Sequence, residues 1–279
     1  MYKFLLFSFS FSFCFNTTSA QLKYLPIGYY QNESAQGMGI WHDKAYLLNN
    51  LGHCRVFDLR EERVVGEYDL ASAGPNNHAN SLCFGNEIAP GGDRPVAYIT
   101  ECAGKWRCFV ESLNDSCASL LQTIHAKKSG KDLLVFLWAV DRQNNNLYAV
   151  TRDDANSLDS LGSKRNTIIK YRLPTLNEGK EVILDDKELI DSFSVVFPNI
   201  LQGGKVHNDK LYISLGLQES LRHQQNSDRA VVVLDLKKKK IKKFIDINKI
   251  TINEPEDLDF YKGCILVWCG QEGGLYRVR

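Results

Sequence analysis

The chain repeats one short pattern five times, and this repetition limits the folds that it can form. Each copy begins with a polar turn or a glycine and continues into a short apolar strand, usually with a tyrosine. A second strand follows, often ending in Asp-Leu. The copies lie at residues 43–47, 94–99, 145–149, 208–213 and 262–266. A spacing of about fifty to sixty residues is the period expected for small antiparallel sheets repeated around an axis.

Alternation of apolar and polar residues predicts about four short strands in each repeat. The fifth repeat stops after three strands, whereas residues 22–27 supply a spare strand near the start of the chain. Because an open edge strand pairs with other chains, we predict that this strand completes the last blade, with Pro26 on its outer edge. The predicted fold is an all-β, five-bladed β-propeller closed by the N-terminal strand. A six-bladed ring is the alternative, but its repeats would be only about forty residues long.

Several segments carry their own predictions. Residues 181–184 are predicted to be the fourth strand of the third repeat, and residues 119–125 or 186–192 to form a helical turn or two. Insertions at residues 153–165 and 218–228 both follow a tyrosine-bearing strand, so we expect them on one common face, as a binding surface or as surface decoration. The lysines of residues 237–240 are predicted to form a solvated hairpin turn before an edge strand.

The first twenty residues have the composition of an export signal. Lys3 precedes an apolar run from Phe4 to Phe15, and small residues end at Ala20, before Gln21. This run is too short to cross a membrane. A lipoprotein signal at Cys14 is the alternative, but the bulky Phe13 before it disfavours lipidation. We therefore predict a signal peptide at residues 1–20, one propeller domain at residues 21–279, and a periplasmic or secreted protein without a membrane span.

Composition narrows the possible partners. The formal net charge is +1, whereas nucleic-acid binding needs a concentrated basic surface. We therefore expect no nucleic-acid partner. We also predict a monomer. The sequence has 8 cysteines but no Cys-x-x-Cys pair, which leaves zinc-ribbon and thioredoxin chemistry without support. Cys102 and Cys108 flank a tight connection and are the best candidates for a disulfide; the alternative is that they are small core residues.

The repeats resemble the β-propeller superfamily that includes NHL-type, YWTD-type and gluconolactonase-like proteins. The resemblance lies in the tyrosine strands, in the strand ends at Asp58-Leu59 and Asp235-Leu236, and in the run from Glu254 to Leu258. That run is similar to the Glu-Pro-Glu-Gly-Leu segment that begins blades in such proteins, with Asp257 in place of the glycine. The leader ending at Ala20 resembles those of secreted Bacteroidetes proteins of unassigned function. The resemblance implies a fold and leaves the activity open.

In a propeller, the residues that begin the inner strands surround one mouth of the central channel. Counting about ten residues back from each tyrosine strand, and allowing for a longer hairpin in the second repeat, gives a ring of candidates. The predicted ligand-binding residues are Gln36, His78, Asn80, Trp138, Gln202, Glu254, Glu256 and Asp257. The alternative is a structural role, such as capping of a turn by residues 76–78 for His78 or backbone hydrogen bonds for Glu256 and Asp257.

The leading functional hypothesis is a non-catalytic binding protein for a small polar molecule, glycan or protein partner. One alternative is an extracellular hydrolase or lyase acting on a sugar or ester, with His78 and Glu256 as acid and base. A third is a structural scaffold for protein interactions. No cofactor and no metal site are predicted, although the carboxylates of the ring leave calcium as an alternative.

Overall fold

The computed structural model of the protein describes residues 24–26, 34–152, 164–216, 228–270 and 274–278. These residues form five antiparallel sheets of small size, which follow one another in sequence. The first strand of sheet 1 contacts the first strands of sheets 2 and 5, and the other first strands contact one another in turn. The five sheets are therefore blades around a common axis, and the predicted five-bladed β-propeller is confirmed.

The strands of each blade follow the chain from the axis outward. Blade 1 comprises Ala35–Trp41, Lys44–Asn49, His53–Asp58 and Arg63–Asp69. Blade 2 comprises Ala79–Ile88, Pro95–Glu101, Cys108–Leu113 and Ala118–Lys128, with the short strand Lys131–Asp132. Blade 3 comprises Val135–Asp141, Asn146–Arg152, Lys164–Arg172 and Leu189–Phe197.

The remaining two blades have the same plan. Blade 4 comprises Leu201–His207, Lys210–Leu215, Ala230–Asp235 and Lys240–Asp246. Blade 5 comprises Pro255–Tyr261, Cys264–Cys269, Gly274–Val278 and the N-terminal strand Tyr24–Pro26. The first strand of each blade is called its inner strand below. Within the described residues, the one helical segment is the 3₁₀ turn Leu176–Glu178, and none is long and apolar enough to cross a bilayer.

The apolar core is divided into five clusters, one between each pair of neighbouring blades. Between blades 1 and 2, for example, Tyr46 packs with Leu82 and Ile99. The cluster between blades 5 and 1 joins Trp268 and Leu275 to Met38 and Leu47. Because each sheet is apolar on both faces, no blade can bury its side chains alone, and the ring is held together by these contacts.

The N-terminal strand closes the ring as predicted. Tyr24 pairs with Tyr276 and Pro26 with Gly274, in antiparallel register with the last strand of the chain. The strand is the outermost of its blade, so Pro26 lies where no ladder donor is needed on the free side. Residues 1–20, the predicted signal peptide, lie outside the described residues.

Removing residues 1–33 is expected to lower the free energy of unfolding by roughly 2 kcal/mol, because each lost backbone hydrogen bond contributes about 1 kcal/mol. The comparison is a chain lacking only residues 1–20, with both unfolded in urea. The longer deletion also exposes the edge of Gly274–Val278, so light scattering should detect association. Equal stability and equal scattering would show that the strand contributes nothing to closure.

Three local predictions are wrong. Residues 181–184 do form a strand, Glu181–Leu184, but it pairs in parallel with Ala118–Lys128 of blade 2. The fourth strand of blade 3 is Leu189–Phe197, which takes up most of residues 186–192, and residues 119–125 are also extended. Cys102 and Cys108 are both free. The lysine-rich turn before Lys240–Asp246 is exposed, as predicted.

Candidate functional site

All five inner strands are irregular at their first residues. In each blade the pairing with the second strand shifts between the first inner-strand residue and the third or fourth. Such β-bulges turn side chains out of the ladder and are common beside binding sites. We call the residues at these five bulges the bulge layer; they are Gln36, Asn80, Phe136, Gln202 and Glu256. In a propeller the starts of the inner strands lie at one end of the central axis, and we call that end the bulge mouth.

Four of these five residues, those of blades 1, 2, 4 and 5, were predicted from the sequence. The residue of blade 3 was not. Trp138 is fully buried between blades 2 and 3, and its backbone N–H donates to Thr100 Oγ1 at 3.0 Å. The residue at the bulge is Phe136, two positions earlier. The turn of the blade 3 hairpin is two residues longer than that of blade 1, because Asp141 pairs with Asn146 whereas Trp41 pairs with Lys44. Counting a fixed ten residues back therefore missed it.

Hydrogen bonds connect the polar side chains of the bulge mouth across blades. Gln202 Nε2 of blade 4 donates to Glu254 Oε1 at 2.5 Å, and Asn80 Nδ2 of blade 2 donates to the Phe136 carbonyl of blade 3 at 2.9 Å. Gln36 is buried, and its Oε1 has no hydrogen-bond partner. A buried acceptor without a partner is costly, so Gln36 offers a position where a bound donor would be stabilised.

The half-buried Glu254 and the buried Glu256 form a pair of interacting carboxyl groups. Burial raises the pKa of Glu254 to about 7, although the hydrogen bond from Gln202 opposes this. Burial also raises the pKa of Glu256 well above its usual value, and the charges of Glu254 and Asp257 act in the same direction. Two close carboxylates in a low dielectric cannot both ionise readily, so the pair retains at least one proton near neutral pH.

His78 lies at the same mouth but is not bonded to either carboxyl group. Its backbone is in the left-handed region, with φ at 45°, and its carbonyl accepts a hydrogen bond from the Cys102 N–H at 3.3 Å. Burial lowers the pKa of its imidazole, so the ring is neutral at pH 7. No hydrogen bond joins the ring to Glu254 or Glu256, and its pairing with Glu256 as acid and base stays a prediction.

Asp257 directly follows the bulge residue of blade 5, and its buried carboxylate bonds to other inner strands. Its carboxylate accepts two hydrogen bonds from Lys205 Nζ, at 2.7 and 2.8 Å. It also accepts from Ser81 Oγ at 3.0 Å and from the Met38 N–H at 2.8 Å. Asp257 thus binds blades 1, 2 and 4 to blade 5. A Cβ on Gly203 would overlap this carboxylate and lie 2.8 Å from the Asn80 carbonyl, so the backbone leaves no open passage here.

Lys205 is the main residue of the hydrogen-bond network around Asp257 that was not predicted from the sequence. It is 5% exposed and Asp257 is 0% exposed, and a lysine is almost never buried unless it is paired. The available signal was its position, because Lys205 is a charged residue within the strand predicted at residues 201–206 of the fourth repeat. In the part of the chain that the structure describes, no group of three or more His, Cys, Asp or Glu side chains could hold a metal ion.

Comparison with solved structures gives the same architecture. The crystal structure of Myxococcus xanthus glutaminyl cyclase has a TM-score of 0.53 and 12% sequence identity, covering 92% of this chain and 94% of that one. The fold is shared; the identity is too low to transfer an activity. Apo AztD from Citrobacter koseri has a TM-score of 0.35 and 15% identity, covering 76% of this chain and 46% of that one. No protein-family model and no curated protein sequence matches this chain.

Proposed function

We propose that the bulge mouth binds a small polar ligand through a protonated amine. The observation that supports this is the pair of the half-buried Glu254 and the buried Glu256. The charges that act on Glu256 are those of Glu254 and Asp257, both acidic, and Lys205 is engaged by Asp257. An ammonium group placed between these carboxyl groups would replace their retained proton and allow both to ionise. Gln36 Oε1, buried and without a partner, supplies a further acceptor for an N–H of the same ligand.

The proposal predicts proton release on binding. In the free protein the pair retains a proton near pH 7, because the pKa of Glu254 is about 7 and that of Glu256 is raised. A bound cation lowers both pKa values, so the released proton passes to the buffer. Calorimetric titration in two buffers of different ionisation enthalpy measures this release, and a neutral ligand of the same shape should release none.

Glu256→Gln is expected to weaken binding of an amine by about tenfold or more, because a charge-assisted hydrogen bond is worth about 1.5–3 kcal/mol. The probes are putrescine, glucosamine and glutamine amide, with glucose as the neutral counterpart of glucosamine. The control is Glu67→Gln, on an exposed glutamate that pairs with Arg55 at 2.7 Å. If glucose binds as tightly as glucosamine, or if Glu256→Gln binds the amines unchanged, the proposal is wrong.

A second candidate is acid–base catalysis at the same carboxyl pair. A carboxyl group with a pKa of about 7 can both accept and donate a proton at neutral pH. The pair that supports this candidate is Glu254 with Glu256, rather than His78 with Glu256. Since one similar fold belongs to a glutaminyl cyclase, ammonia release from a peptide with N-terminal glutamine is the first activity to assay. Binding of glutamine amide without turnover would favour the binding function.

Export is part of the same proposal and rests on the composition of residues 1–20. A periplasmic or secreted location would expose the bulge mouth to small molecules outside the cytoplasm. Fractionation of cells that express the full chain, with N-terminal sequencing of the product, tests the predicted cleavage after Ala20.

A further inference from the structure

A second concave site lies at the outer edge of blade 2, away from the axis. It has a volume of about 680 Å³, which is within the range of small-molecule sites. Three separate segments meet there, and we call the site the edge groove. Its main lining residues are Lys105, Trp106, His125, Lys127, Asp132 and Glu181. None of these belongs to the bulge layer.

The edge groove exists because a segment of blade 3 crosses to blade 2. Glu181–Leu184 pairs in parallel with the outer strand, with Ile183 opposite His125. Lys131–Asp132 pairs with the end of the same strand, with Asp132 opposite Lys127. Residues two apart on a strand point to the same side, so His125 and Lys127 face the groove together. His125 Nε2 lies 2.9 Å from Glu181 Oε2.

Trp106 forms one wall of the edge groove in a strained conformation. Its φ is +60°, which is rare for a bulky side chain. The buried Glu101 carboxylate fixes the loop, because it accepts two hydrogen bonds from the Arg107 guanidinium at 2.8 Å and others from the N–H groups of Lys105 and Arg107. The indole is half-buried against the apolar cluster between blades 3 and 4. Residues held in such conformations cluster at binding sites.

The charges of the edge groove select the class of ligand. Lys105 and Lys127 are balanced by Asp132 and Glu181, and the two acids lie beside Lys127 and His125 respectively. A balanced site has no net attraction for an anion or a cation, but it offers both donors and acceptors next to an aromatic surface. Hydroxyl groups are donors and acceptors at once, and the C–H face of a sugar ring packs on an indole.

We propose that the edge groove binds a neutral glycan, with Trp106 as the surface on which a sugar ring stacks. This site shares no lining residue with the amine site at the bulge mouth. Glycine adopts positive φ freely, so Trp106→Gly removes the indole and relieves the backbone strain at once. Because the indole also packs against an apolar cluster, the relieved strain only partly offsets the lost packing. The proposal expects the variant to fold with lower stability and to lose glycan binding.

The experiment is calorimetric titration of the chain lacking residues 1–20 with cellohexaose, xylohexaose, maltohexaose and chitohexaose, and with a heparin hexasaccharide as the acidic probe. At least one neutral hexasaccharide is expected to bind. Trp106→Gly and Glu181→Gln should weaken it by about tenfold or more, with the melting temperature of Glu181→Gln unchanged because that side chain is exposed. The control is Trp41→Phe, since Trp41 ends the blade 1 inner strand at the opposite face.

Three outcomes overturn the proposal. If none of the four neutral hexasaccharides binds, or if heparin binds in preference to all of them, the ligand class is wrong. If Trp106→Gly and Glu181→Gln bind as the wild type does, the glycan is held elsewhere. A fall in stability of Trp106→Gly does not obscure the result. Glu181 lies on the exposed rim, so Glu181→Gln tests the same groove without removing a packing contact of the fold.

Discussion

Replacing Lys205 with methionine is expected to lower the free energy of unfolding by about 3–5 kcal/mol, because it leaves a buried carboxylate without its cation. Burial is the largest influence on the Lys205 ammonium and lowers its pKa, but Asp257 at 2.7 Å, with Asp259 and Cys83 nearby, together raise it. Burial raises the pKa of Asp257, and the charge and hydrogen bonds of Lys205 oppose this. The pair is therefore charged in the wild type. Methionine keeps the length of the lysine side chain and removes only the charge and its donors. Guanidinium unfolding at pH 7 measures the loss.

The matched control is the double variant Lys205→Met with Asp257→Asn. An asparagine cannot carry the unpaired charge, but its Oδ1 can still accept from the Met38 or Leu82 N–H that Asp257 binds at 2.8 and 3.3 Å. We expect the double variant to regain a large part of the lost stability, which is the coupling that a double-mutant cycle measures. A single variant that loses less than about 1 kcal/mol would contradict the buried ion pair.

The Lys205–Asp257 pair shows why the contacts between the inner strands were only partly predictable from the sequence. The five repeats predicted five blades, and a blade short of one strand predicted the closing role of residues 22–27. Both inferences follow from local patterns. Asp257 satisfies the free inner edges of blades 1 and 2. This arrangement depends on how the blades are tilted toward the axis, which no local pattern encodes. Asp257 was predicted to bind a ligand, and in the structure it is bonded to Lys205.

The bulge layer was predicted where the hairpins have the same length. Gln36, Gln202 and Glu256 each lie ten residues before a fixed position in the second strand of their blade, which is residue 46, 212 or 266. The bulges turn them toward the mouth. The longer turn of blade 3 moved its bulge to Phe136. In the same blade, the strand Glu181–Leu184 has the alternation of a blade strand but lies in a connection that pairs with blade 2. Sequence patterns predict a strand, whereas its partner is decided by tertiary packing.

Replacing Glu254 with glutamine is expected to raise the free energy of unfolding at pH 8 by up to about 3 kcal/mol. The pKa of Glu254 is about 7 in the folded protein, against 4.5 for an unperturbed glutamate. Between pH 4.5 and 7 the folded chain retains a proton that the unfolded chain loses, so stability falls with rising pH and levels off above the folded pKa. A neutral glutamine can still accept the hydrogen bond from Gln202 without the cost of a buried charge.

Urea unfolding at pH 4.5 and pH 8 separates this effect from a general change in stability. At pH 4.5 much of the gain should vanish, since Glu254 of the wild type is then protonated in the fold. Glu61→Gln, at an exposed position, should leave the free energy of unfolding unchanged at both pH values, because the carboxyl group of Glu61 is solvated. A gain that is the same at both pH values would rule out titration of Glu254 as its cause. The same variant should bind the amine probes more weakly, because the charge that destabilises the empty mouth is the charge that a bound cation neutralises.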